Sequence, residues 1–138
     1  MNRKRFVLEI GMGIDMLGQD PTKAAFKAVK DAVSRSCLAG LLEITRLHDE
    51  DRMLVDVLVG CPHPEQVDEA KVLEAIPFGQ KRIQVVEGGL AATCVYLPQL
   101  LDDTSDQTFI ATAAVTVSID MDQVLEAWSE ELASARRK

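Results

Sequence analysis

The amino-acid sequence predicts an α+β fold, a two-layer sandwich in which one mixed or antiparallel sheet of about five strands carries its helices on one face. Three observations support it. Apolar residues alternate with period two in Met53 to Val59 and in Thr108 to Ile119, the pattern of strands with one buried face. Phe26, Val29, Val33 and Cys37 recur at helical spacing, with Ala25, Ala28 and Ala32 beside them. Strand-like and helix-like runs also follow one another as β-α-β-β-α-β and then β-α, so both kinds of element share one core.

The first strand is Arg5 to Ile10, with Phe6, Leu8 and Ile10 on one face and Val7 and Glu9 on the other. Gly11 to Asp20 then reads as a glycine-punctuated acidic loop. Asp20 followed by Pro21 is an N-cap acid with proline at the first helical position, which starts a helix running to about Ser36. Gly40 releases that helix into a second strand, Leu41 to Arg46. The polar run His48 to Asp51 turns the chain into a third strand, Met53 to Val59, and such a short turn predicts an antiparallel hairpin. Pro62 and Pro64 stop it, because proline cannot donate to a ladder. A weaker helix spans Glu65 to Ile76, and Lys81 to Glu87 is the fourth strand, ended by Gly88 and Gly89. Ala91 to Leu97 fits strand or helix, and Asp102 to Asp106 is an acidic loop. Thr108 to Ile119 is a long strand. Asp120 caps a final helix bearing Val124, Leu125, Trp128 and Leu132.

A length of 138 residues predicts a single domain over residues 1–138. The net charge of -7 argues against broad nucleic-acid binding, which needs clustered Lys and Arg. The basic ends, Arg3 to Arg5 and Arg136 to Lys138, read as solvated tails. No apolar run approaches a membrane span, and Glu9 with the glycines after it interrupts the segment that would extend a signal peptide. Cys37, Cys61 and Cys94 are widely spaced and unpaired by any CxxC, so neither a disulfide framework nor a zinc site is expected and the protein is placed in the cytoplasm. His63, two residues after Cys61, is the nearest thing to a base for a thiolate.

The candidate site is the segment Gly11-Met12-Gly13-Ile14-Asp15-Met16-Leu17-Gly18-Gln19-Asp20. Gly11, Gly13 and Gly18 mark backbone that turns or is closely approached, and are the expected ligand-binding residues. Asp15, held between glycines, reads either as a turn cap or as a carboxylate for a cation, an amine or proton transfer. A phosphate cradle is disfavoured: the spacing is neither GxGxxG nor GxxxxGK[ST], and Asp15 and Asp20 put negative charge where a phosphate would sit. Lys23, Lys27 and Lys30 line one side of the first helix, and Lys23, in its unfavourable first turn, is the one expected to face the acidic loop or a ligand. Glu9 and Glu87 each sit in an apolar strand beside glycines. A strand carboxylate must be solvated, paired or part of a site, so both join Asp15 and Lys23 as candidate catalytic residues, with solvent exposure as the alternative.

Lys4 to Gly18, then Thr22-Lys23-Ala24-Ala25 and the helix after them, resemble a small family of conserved hypothetical proteins found in bacteria and plants and recognised by a GxGxDxHG motif. Gly11, Gly13, Asp15 and Gly18 match it, while Leu17 stands where the family has histidine. The resemblance implies no assigned activity, and a site that depends on that histidine is lost in this chain. Val57 to Pro62 with Ile83 to Leu90 is similar in pattern to domains of ring-opening amide hydrolases and to trimeric chorismate-mutase-like folds, which place sites between subunits.

The expected function is therefore binding of a small polar metabolite or cation near Asp15, with proton-transfer or hydrolytic chemistry as the reaction class, close to a subunit interface. The alternative is a non-catalytic homo-oligomeric assembly or regulatory module. Further copies of the chain, in a trimer or other multiple, are the expected partner, because Leu54, Leu58, Val7 and Val86 leave an apolar sheet face away from the helices. Nucleic acid and membrane are not expected partners. No metal ligand set is legible, and no cofactor is named by the sequence.

Overall fold

A computed structural model describes residues 1–16, 20–48, 52–96, 98–101 and 105–138. Leu17, Gly18, Gln19, the turn residues 49–51, Leu97 and the loop residues 102–104 lie outside the described residues. The chain forms a five-stranded mixed sheet with helices packed on it, the α+β sandwich that the alternating and helical patterns imply.

Strand β1 (Arg3–Asp15) leads to helix α1 (Pro21–Ser34) and the short helix α2 (Ala39–Glu43). Strand β2 (Leu54–Cys61) is followed by a 3₁₀ turn at Pro64–Gln66, helix α3 (Glu69–Leu73) and strand β3 (Gln80–Glu87). Strand β4 (Leu90–Thr93), helix α4 (Pro98–Leu101), strand β5 (Gln107–Asp120) and helix α5 (Met121–Ala135) complete the order. The strands lie β1-β5-β2-β3, with β4 also on β5. β5 is antiparallel to β1, β2 and β4, whereas β2 and β3 are parallel. β1, β2 and β3 consequently end on the same side of the sheet.

The predicted hairpin is absent because its first strand is a helix. In the stretch from Leu41 to Arg46 the buried residues are Leu41 and Thr45, four apart, the spacing of one helical face. Gly40 O accepts from the N–H groups of both Ile44 and Thr45, and Trp128 Nε1 on α5 donates to Ile44 O at 2.7 Å.

The patterns of β2 and β5 hold. Val55, Val57 and Val59 of β2 and Phe109, Ala111, Ala113, Val115, Val117 and Ile119 of β5 are buried. They form most of the apolar floor under Ala24, Ala25, Ala28, Val29 and Ala32 of α1 and Val72 of α3. Both long helices start where an Asp cap was legible: Asp20 accepts from Thr22 N at 2.9 Å, and Asp120 from Asp122 N at 3.2 Å.

β1 departs from expectation. A register shift between Arg5 and Val7 breaks the alternation, so Phe6 and Val7 both pack against buried residues. Beyond the shift, Glu9, Gly11, Gly13 and Asp15 face the helices, and Leu8, Ile10, Met12 and Ile14 face away. Val7 thus leaves the open face to which it was assigned, and the β1 residues replace it. Leu8, Ile10 and Met12 are each more than half exposed, and Leu58 and Val86 extend the apolar surface. The outer edge of β1 is occupied by side chains of α1: Met12 N donates to Asp31 Oδ2 at 2.9 Å, and Lys27 Nζ donates to Ile14 O at 2.9 Å. The Met12 N–H, helped by Arg35, holds the Asp31 carboxyl below its usual range.

Candidate functional site

The glycine segment is strand as far as Asp15, which corrects the expectation of a loop starting at Gly11. Its first two glycines serve helix packing. A Cβ on Gly11 would lie 2.3 Å from Ala28 O and Ala32 N, and one on Gly13 would lie 2.3 Å from Ala24 O and Ala28 N. Ala24, Ala28 and Ala32, spaced by four, present the helix's narrowest face at that point, so backbone meets backbone. The helix side of residues 11 and 13 is thereby filled.

Asp15 closes the strand and is only 4 % exposed. Its Oδ2 accepts the Asp20 N–H at 2.8 Å, and its Oδ1 lies 3.6 Å from Lys27 Nζ. The carboxylate ties the end of β1 to the residue that caps α1. Lys27 is the cation that meets Asp15; Lys23, the one expected there, is exposed and lines a groove with Thr22, Phe26, Lys71 and Glu74. A helix that runs back over its own strand puts the residue two turns in, not the first-turn one, above the strand edge.

Glu87 is exposed at the end of β3, paired in register with Cys61. The Cys61 thiol is buried and directed at Pro21 O at 3.5 Å. Burial, then the charges of Glu87 and Asp20, push it up to about 11, so it is a neutral thiol at physiological pH. His63 turns its ring edge onto Phe109, with centroids 5.3 Å apart, and its Nδ1 lies 3.7 Å from Glu65. Cys61 and His63 therefore have separate partners and form no dyad. Gly88 and Gly89 carry the chain across the end of β2. Gly89 has φ +62°, and a Cβ there would lie 2.0 Å from Ile110 O, so this pair serves the crossover from β3 to β4.

Glu9 is different. It lies six residues before Asp15 on the same face of β1, about 20 Å away along the strand. It is 6 % exposed, and among the described residues nothing donates a hydrogen bond to it or pairs with it. Asp15 has its amide and lysine, and the buried Asp120 accepts from Asn2 N at 3.0 Å as well as from Asp122 N. Glu9 instead borders a cavity of about 350 Å³ between the C-terminal end of α1 and the sheet. Val33 and Leu38 form the helix-side wall, Met53, Val55, Val115 and Val117 the sheet side, and Ile76 and Phe78 the far side.

The candidate residues thus fall at two ends of α1. Asp15, Lys23 and Glu87 belong to its N-terminal end, where the contacts close the fold. Glu9 stands alone at the other, beside open apolar space. Among the described residues there is no group of three or more His, Cys, Asp or Glu able to hold a metal ion, and no helix is long and apolar enough to cross a membrane.

Comparison with known proteins adds kinship without an activity. Residues 5–117 match the model of a family described as conserved hypothetical protein (Lin0512_fam). The fold is similar to the crystal structure of an FtsZ-like protein of unknown function from Nostoc punctiforme, with 44 % sequence identity and a TM-score of 0.79. The similarity covers 87 % of this chain and 98 % of that one. No curated protein matches the sequence.

Proposed function

The chain belongs to the Lin0512 family of conserved hypothetical proteins, and on that premise we propose that it is a small-molecule-binding protein whose site is the cavity bordered by Glu9. One observation carries this reading: Glu9, a buried acidic residue without a partner among the described residues, borders empty apolar space. Such a group is costly to bury in a folded core and is the usual polar anchor of a ligand pocket. The volume lies at the small end of metabolite sites. The site moves accordingly from the Gly11 to Asp20 segment, where Gly11, Gly13 and Asp15 have structural partners, to the other end of the same strand.

Where chemistry accompanies binding, Glu9 is the acid-base group that the cavity offers, in keeping with a proton-transfer or hydrolytic reaction class. Three free cysteines fit a reducing compartment, and we place the protein in the cytoplasm.

The test is a thermal-shift screen of the full chain against a library of small polar and amphiphilic metabolites, repeated with Glu9→Gln. A ligand that raises the melting temperature of the wild type and not of the variant supports the cavity. Hits that act equally on both proteins reject it.

A second reading, homo-oligomeric assembly, is favoured by the open sheet face. Leu8, Ile10 and Met12 make a stripe along β1 that a second copy of the chain can cover with its own stripe, as a two-fold interface requires. Assembly and binding are compatible, because the two surfaces lie on opposite faces of the sheet.

A further inference from the structure

We infer that the Glu9 cavity takes an organic cation, a protonated amine carried on a compact apolar body. This rests on the cavity being the binding site and names the class of ligand it selects.

The charge balance of the cavity supports this. Glu9 is the charged residue of the lining, and among the described residues no Lys, Arg or His borders the space. The cavity also adjoins the C-terminal end of α1, where unpaired carbonyls and the helix dipole concentrate partial negative charge. No basic residue occupies the last turn of α1 to offset it. Arg35, at the C-cap, is committed elsewhere: its Nη2 lies 2.7 Å from Asp31 Oδ2 and its Nε 3.1 Å from Oδ1. A carboxylate and a helix C-terminus thus face one apolar space with no cation among the described residues, and a bound ligand supplies the positive charge.

The same wall separates an organic cation from a hard metal ion. Hard cations need several oxygen ligands, and this lining offers one carboxylate, the Ser36 hydroxyl and the Cys37 thiol among Val33, Leu38, Met53 and Phe78. A primary ammonium needs fewer partners and brings its own apolar body to fill the remainder. An anionic ligand would meet Glu9 and the helix end with like charge.

Isothermal titration of the full chain with three probes on one ring, cyclohexylmethylamine, cyclohexylmethanol and cyclohexanecarboxylate, tests the inference. The amine is expected to bind the wild type about tenfold more tightly than the alcohol, as a charge-assisted hydrogen bond exceeds a neutral one, and the carboxylate is expected not to bind. Glu9→Gln is expected to erase the preference for the amine. The three-probe comparison uses the wild type alone, so it stands even where that variant folds poorly. Ser36→Trp, which places a large side chain at the rim, is expected to weaken all binding while keeping the circular dichroism of the wild type. Alcohol or carboxylate binding as tightly as the amine overturns the cation inference and leaves the cavity as the site. Absence of saturable binding by all three overturns both.

Discussion

Asp15 Oδ2 accepts the backbone N–H of Asp20 at 2.8 Å, and Asp20 in turn caps α1 through Thr22 N. One carboxylate therefore fixes the residue that starts the helix, and Lys27 from the second turn balances its charge at 3.6 Å. Asp15→Ala leaves a part-buried amide without its acceptor and is expected to cost about 2 kcal/mol of stability. Asp15→Asn keeps an acceptor and is expected to cost less, about 1 kcal/mol. Urea unfolding of both variants measures the difference. Binding at the Glu9 cavity is expected to be unchanged in Asp15→Asn, because the two acids lie at opposite ends of α1. A loss of binding without a loss of stability would return the site to Asp15.

Gly11→Ala and Gly13→Ala are expected to be among the most damaging single substitutions in this chain. Each new Cβ would stand 2.3 Å from backbone atoms of α1, and backbone cannot rotate aside as a side chain can. Lifting the helix off the sheet is expected to cost about 3 kcal/mol or more. Soluble yield and denaturant midpoint report it, and wild-type values for both variants would show that the helix and strand do not touch there.

Cys61 and Cys37 are expected to differ sharply toward iodoacetamide at pH 8. Cys37 is exposed, whereas Cys61 is buried and pushed up to about 11. Peptide mass mapping after a short pulse should find Cys37 modified and Cys61 intact, with Cys61 reacting once the chain is unfolded. The raised thiol also sets a pH dependence. Below about pH 9 the thiol is protonated in both folded and unfolded chains; between about 9 and 11 the unfolded chain releases the proton first, so this residue's contribution to stability is lost as pH rises through that window. Replacing Cys61 by Ala is expected to flatten that part of the stability profile.

The open sheet face predicts association. Light scattering of the wild type is expected to give a multiple of 15.1 kDa, and Ile10→Lys combined with Met12→Lys is expected to give the single-chain mass with an unchanged circular dichroism spectrum. A wild type that scatters as one chain at micromolar concentration rejects the assembly reading.

Local chemistry was enough for the elements whose signals lie within a few residues. The period-two runs of β2 and β5, the Asp20-Pro21 start of α1 and the Asp120 cap of α5 are short-range patterns, and burial and capping follow them directly. Leu41 to Arg46 departs from its expected strand because three apolar residues in six fit either period, and contacts with Trp128, 84 positions from Ile44, accompany the helix. The roles of Gly11, Gly13, Lys27 and Glu9 depend on what lies above β1. That is set by the pairing of β1 with β5, residues more than a hundred positions apart at Arg3 and Asp120, and by the register shift after Arg5. The sequence by itself determined that Glu9 is an acid in an apolar strand. Only the tertiary structure decided that it stands beside a cavity without a partner among the described residues, because a side chain's partners are chosen by the elements folded against it.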